Sequence, residues 1–130
     1  MPFLTAKVAA PKSETLTQRI ANAMLEITHR ILKKDPKLTS IAIEFVEPQT
    51  WHVGGLSLAE QKQSSVYFEI RITDETNSKA EKALYIREVF QAFTEILGDL
   101  HPVSYILIHD VRAAAYGYGG ETQEFRYHRN

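Results

Sequence analysis

Pro2 carries a chemistry that no side chain of this chain can supply. Its small side chain is the condition under which an initiating methionine is trimmed, so removal of Met1 is expected to leave the secondary amine of a rigid ring at the start of the mature chain. A free α-amino group titrates at roughly 7.7–8.0. Burial in apolar surroundings moves a cationic base further down, toward the neutral form at working pH. Such an amine can accept and return a proton, which is the work of a general base and acid. The residues around it must then be arranged to bury it.

Other chemistries find little support. The chain has no cysteine, which removes disulfides, thiolate nucleophiles and cysteine metal sites. His101, His109 and His128 are scattered, with no H-E-x-x-H or similar spacing, and no motif supports a nucleophilic triad. No metal or other cofactor is expected. The net charge is −1 with a pI near 6.5, and no Lys/Arg cluster interleaves with aromatics, so a nucleic-acid partner is disfavoured. No apolar run approaches the roughly 18–20 residues of a membrane span, and the start lacks a signal-peptide core. A soluble cytoplasmic protein with no membrane partner is expected. At 130 residues the chain is expected to be one domain.

The chain repeats itself. Trp51-His52-Val53-Gly54-Gly55 answers to Tyr116-Gly117-Tyr118-Gly119-Gly120, and Gly54 to Gly119 is a shift of 65 residues. Before the first glycine pair, Pro2, Leu4, Ala6 and Val8 alternate with polar positions, which is strand spacing. Ser13 suits a helix N-cap and Glu14 the first turn. Leu16, Ile20, Met24, Ile27 and Ile31 form an amphipathic stripe, Asp35-Pro36 stops the helix, and Ser40 to Val46 forms a second strand. Before the second pair, Val66, Phe68, Ile70 and Ile72 share one strand face. Ser78 caps a helix bearing Ile86, Phe90, Phe93 and Leu97, Gly98 ends it, and Val103 to Val111 is the last strand. The counterpart of Pro2 is Val66 or Tyr67, and Leu56 to Ser65 joins the halves.

Strand, helix, strand with a long crossover implies parallel pairing. The expected fold is α+β: a duplicated β-α-β unit, halves about 2–55 and 66–120, giving a four-stranded mixed sheet with two helices on one face. Thr5, Lys7, Glu69 and Arg71 fall on the other face. Self-association around a partly wet interior would cover it. Arg71, projecting from that face, is a candidate anion anchor.

These features resemble the tautomerase superfamily across nearly the whole chain: Pro2 at the first strand, Ser13 opening the helix, Leu38-Thr39-Ser40-Ile41 opening the second strand, and the aromatic-x-x-Gly-Gly turns. The chain is similar to fused members of the 4-oxalocrotonate tautomerase-like group, among which are cis-3-chloroacrylic acid dehalogenase, malonate semialdehyde decarboxylase and macrophage migration inhibitory factor. The resemblance implies a homotrimeric, cofactor-independent isomerase in which Pro2 shuttles the proton in keto–enol exchange on a small enol or α-keto acid. It also implies substrate-binding residues. Lys12 stands where the family has a carboxylate-gripping arginine, and it keeps the charge without the planar fork. His29 aligns with a substrate-binding histidine, and Trp51 and Tyr116 occupy the two copies of an apolar wall.

Departures from the pattern narrow the activity. The second-strand arginine of the family falls on Ala42 and Leu107, neither of which binds a carboxylate. Val53 or Tyr118 stands where a dehalogenase has its water-activating glutamate. Thr73-Asp74-Glu75-Thr76-Asn77 replaces a decarboxylase's paired arginines. A promiscuous decarboxylase or hydratase using the same proline, and a non-catalytic trimeric binding module, remain the alternatives.

Overall fold

The structure is a computed structural model that describes residues 2–129, the last of these by its backbone only. The expected removal of Met1 lies outside the described residues. In chain order the elements are β1 (Phe3–Ala9), α1 (Glu14–Leu32), β2 (Ser40–Val46), β3 (His52–Val53), β4 (Leu56–Ser57), α2 (Leu58–Gln61), β5 (Val66–Thr73), α3 (Lys79–Leu97), β6 (Tyr105–Val111), β7 (Gly117–Tyr118), β8 (Glu121–Thr122) and α4 (Gln123–Arg129). Short 3-10 turns at Pro36–Leu38 and Pro48–Thr50 precede β2 and β3.

Both long helices start where a serine satisfies an orphan amide. Ser13 Oγ accepts from Leu16 N at 3.1 Å, and Ser78 with Glu81 closes a reciprocal capping box. The left-handed Lys33, φ 60°, ends α1, and Gly98 ends α3. The four main strands form a mixed sheet in the order β2-β1-β5-β6, with parallel outer pairs and an antiparallel joint between β1 and β5. Thr5 faces Glu69 at that joint. Leu4 pairs with Ile41 and Phe68 with Ile106, so Val66 is the counterpart of Pro2.

Alternation on β1 and β5 buries Leu4, Ala6, Val8, Phe68, Ile70 and Ile72 against α1 and α3. Phe68 is the hub. Its ring lies 5.9 Å from Phe93 in an edge-on arrangement and 6.4 Å from Tyr85. Tyr85 carries a hydroxyl into this core, and Thr28 of α1 meets it at 2.7 Å, so the two helices share one buried polar tie. On the surface Arg30 bridges Glu26 and Glu88, again linking α1 to α3.

Three local expectations change. Ile86 is 38% exposed, and α3 buries Tyr85, Val89 and Phe93 instead, a stripe rotated by one residue. The last strand begins at Tyr105 and not Val103, because Ser104 Oγ donates to the His101 carbonyl and draws the chain into a turn. The joining segment is also structured. It holds β4 and α2, whose Leu58 is fully buried and donates its N–H to the Trp51 carbonyl at 2.8 Å.

Because Phe68 is fully buried and packs its ring against Tyr85 and Phe93 of α3, Phe68→Ala should lower the unfolding free energy by about 3–5 kcal/mol. Urea unfolding measures this, and a loss under about 1 kcal/mol, the size typical of a surface change, would contradict the packing.

Candidate functional site

Strand direction determines what can stand beside Pro2. β1 and β2 are parallel, so both begin at one end of the sheet, and Ser40 N donates to the Pro2 carbonyl at 3.3 Å. The residues leading into β2, Lys37, Leu38 and Thr39, therefore flank Pro2. β5 runs antiparallel to β1, and β6 parallel to β5, so β6 ends where β1 begins. The β7–β8 hairpin that follows closes over the same place. Pro2 is buried there. It contributes to a cavity of about 420 Å³, walled by Phe3, Leu38, Tyr116 and Tyr118, with Lys37 also on its lining.

The hairpin is held in position by several contacts. Gly119 and Gly120 turn it with φ of 62° and 83°, a pair that residues with a Cβ rarely adopt. Arg126 of α4 stacks its guanidinium 3.8 Å over the Tyr118 ring and donates to the Tyr118 carbonyl at 2.9 Å. The Tyr116 hydroxyl is hydrogen-bonded to Thr73 Oγ1 at the end of β5. Behind it, the half-turn after β5 forms a relay: Thr76 Oγ1 donates to the Thr73 carbonyl at 2.6 Å and accepts from Lys34 Nζ at 2.9 Å. Burial pushes the Tyr116 phenol up and the largely buried Lys34 ammonium down from their ordinary values. Tyr116 is thus a neutral, fixed wall at working pH.

The other candidate residues lie elsewhere in the chain. Lys12 is exposed in the turn before α1, at the far end of the sheet from Pro2. His29, also exposed, donates Nδ1–H to the Lys34 carbonyl at 3.1 Å and does not line the cavity. Trp51 belongs to the other hairpin, β3–β4, which follows β2 and closes over the beginning of β5. Arg71 stands across from Phe3 on β5, but its guanidinium pairs with Glu69 of the same chain at 2.8 Å. Glu69 also accepts from Tyr67 Oη and meets His109 Nε2, each at 3.2 Å. Arg71, assisted by these two, holds the Glu69 carboxyl below its ordinary value.

Lys37 was not singled out by its sequence context. Its Nζ has no hydrogen bond or ion pair among the described residues, whereas Arg71 is already paired. The signal was present in Asp35-Pro36: a helix stop followed at once by a strand parallel to β1 must deliver the intervening residues to Pro2.

Neither a protein-family model nor a curated protein sequence matches the chain. Solved structures do. A native fused 4-OT superposes with a TM-score of 0.81 at 14% identity, over 95% of this chain and 97% of that one. Pt0534 inactivated by 2-oxo-3-pentynoate gives 0.80 at 11% identity, over 95% and 98%. MIF2 of Leishmania major gives 0.77 at 16% identity, over 94% and 97%. This is the fused 4-OT and MIF fold. Further fused 4-OT chains of this shape form asymmetric and symmetric trimers. No helix among the described residues is long and apolar enough to cross a membrane.

Two tests follow from this geometry. A Cβ on Gly117 would sit 1.8 Å from the Glu121 carbonyl oxygen, so Gly117→Ala should spring the β7–β8 hairpin and expose the Pro2 cavity. Faster amide exchange confined to residues 116–123 is the expected readout, and an unchanged exchange pattern would contradict it. For Glu69, a depressed carboxyl stabilises the fold above its unfolded value of 4.5 and loses that contribution as pH falls through the lower folded value. Glu69→Gln should therefore flatten the loss of urea stability between neutral pH and about pH 3; an equally steep acid limb in the variant would show that Glu69 contributes nothing to it.

Proposed function

We propose that this chain is a tautomerase-superfamily member in which the amine of Pro2, freed by removal of Met1, is general base and acid for keto–enol exchange on a small enol or α-keto acid. The observation that carries the reading is the burial of Pro2 in a cavity with aromatic and aliphatic walls and an uncommitted ammonium, Lys37, on its lining. The likeness of the fold to fused 4-OT supports it.

Each element of the site has one task in this reading. The neutral amine takes a proton from the enol hydroxyl or from the carbon next to the carbonyl, and the resulting ammonium returns one to the alternative atom, so no cofactor is consumed. Phe3, Leu38, Tyr116 and Tyr118 keep water away from the amine, which favours its neutral form. Lys37 binds the substrate carboxylate and draws negative charge away from the amine, as the developing enolate requires. Lys12, and Trp51 as a wall of this same cavity, would have to come from a neighbouring chain, as would any further cation. The homotrimer proposed here, by likeness to the fused 4-OT trimers, provides such neighbours.

His29 and Arg71 have lesser parts in this scheme. His29 is occupied by the Lys34 carbonyl and Arg71 by Glu69, so either would contribute only after exchanging that partner for substrate. Ala42 and Leu107 leave the centre of the open sheet face without a cation of their own. Lys37 is therefore the first choice for the carboxylate.

The test is ketonisation of an arylenolpyruvate by native protein, Pro2→Ala and Lys37→Gln, with intact mass reporting the state of Met1. Pro2→Ala should lose on the order of a hundredfold or more in kcat/KM, the scale of a positioned general base. Lys37→Gln should lose roughly tenfold or more, mainly through KM, as expected when one charged hydrogen bond is removed. Treatment with 2-oxo-3-pentynoate, the inactivator of Pt0534, should add its mass to the peptide beginning at Pro2, by attack of the amine on the conjugated alkyne. Equal turnover by native protein and Pro2→Ala, with Met1 absent, would end this reading.

A further inference from the structure

The sheet's pseudo-twofold axis passes by the Thr5–Glu69 pair and generates a second cavity at the opposite end of the molecule. Its lining can be read residue by residue against the first. Phe3 answers to Tyr67, Leu38 to Val103 and Ser40 to Tyr105, while Tyr116, Gly117 and Tyr118 answer to Trp51, His52 and Val53. The second cavity is larger, about 810 Å³ against about 420 Å³. That lies within the range of small-molecule sites, roughly 300–1,000 Å³.

Its chemistry differs from that of the first cavity in two respects. Val66 stands where Pro2 would be, so no amine is present and no proton transfer is possible through the main chain's start. The cation is also different. Phe3 of the first cavity stands across from Arg71, which does not line it, and by the same symmetry Tyr67 stands across from Lys7, which does line the second. Arg71 is neutralised by Glu69, but Lys7 is not paired. Glu44 faces it on β2, yet no ion pair or hydrogen bond takes the Lys7 ammonium among the described residues. The Tyr67 hydroxyl is drawn away to Glu69 at 3.2 Å. Tyr105 is 61% exposed, Trp51 is half-buried, and both line the cavity with Tyr67.

We infer that this second cavity is a binding site for a small aromatic monocarboxylate, with Lys7 holding the carboxylate and Trp51, Tyr67 and Tyr105 enclosing the ring. A single uncommitted ammonium matches a single negative charge. Three aromatic rings offer stacking and edge contacts that an aliphatic acid would use less well. Because Val66 replaces the amine, the site binds without turning over. It thereby gives the repeat's second copy a role separate from that of Pro2.

Trp51 is the chain's single tryptophan and lines this cavity, so its emission reports on ligand bound there. The probe is 3-phenylpropionate, a saturated acid with no enol to ketonise. Titration should give a saturable change in Trp51 emission, with calorimetry showing one ligand per chain. Pro2→Ala should leave that affinity within about twofold, while Lys7→Gln should weaken it about tenfold or more, as expected for losing a charged hydrogen bond. Trp51→Phe, followed by calorimetry, should retain binding, which keeps reporter and site apart. Lys7→Gln should also keep any arylenolpyruvate turnover within about twofold of native, since Lys7 does not line the Pro2 cavity. Three results overturn the inference: no saturable change, loss of binding in Pro2→Ala, or native affinity in Lys7→Gln. Because the readout is binding, a failure of the tautomerase reading leaves this test intact.

Discussion

The antiparallel joint between β1 and β5 is the constraint on which the rest depends. Each β-α-β half is parallel inside, so its hairpin emerges at the end of the sheet where its own second strand finishes. Joining the halves antiparallel puts that end beside the start of the other half's first strand. The β7–β8 hairpin consequently covers Pro2, and the β3–β4 hairpin covers the region before Tyr67. Had the halves been joined in parallel, both hairpins would lie at one end and Pro2 would sit open to water. Burial of a chain-terminal amine therefore follows from topology before any single side chain is chosen.

Once the hairpin is in place, the electrostatics are decided by which cations already have partners. Arg71 was the more attractive anchor in the sequence, because it projects from the sheet face opposite the helices. Glu69 occupies it, with Tyr67 and His109 on the same carboxyl, and that cluster sits near the axis of the sheet. Lys34 is committed to Thr76, and its burial works against its charge. Lys37, a shorter-reaching point charge, is left free beside Pro2. An uncommitted ammonium is worth more to an incoming anion than a better-shaped guanidinium that must first break a salt bridge.

The fold was legible because local and global signals agreed. Ser13 and Ser78 are caps with acids in the first turn, the stripes have helical period, and Leu4 to Val8 and Val66 to Ile72 alternate. The errors fell where tertiary contacts override pattern. Ile86 was placed on the apolar stripe of α3, yet Tyr85 goes inside beside it, because Thr28 satisfies its hydroxyl across the helix pair. The site was legible in part. Pro2 and Tyr116 line one cavity, at places that the repeat had pointed to. Within one chain Trp51 lies at the other end of the sheet, because sequence repetition shows that two segments correspond and says nothing of which end each occupies. That distinction needs strand direction.

The two cavities show how far the copies have diverged while sharing one backbone. Pro2 and Val66 are both small apolar residues at the start of a strand, so the exchange preserves packing while removing the amine. Lys37 corresponds to Pro102, and Arg71 to Lys7, so each cavity has a cation its partner lacks or holds differently. Divergence of this kind is inexpensive for the fold, because these residues lie at strand starts and on the open face, away from the Phe68 core. The hairpins obey stricter limits. Gly54, Gly55, Gly119 and Gly120 all keep positive φ, so both copies retain the turn even as the aromatic ahead of it changes from Trp51 to Tyr116. The backbone repeat thus fixes two enclosures, and the side chains at strand starts determine what each can hold.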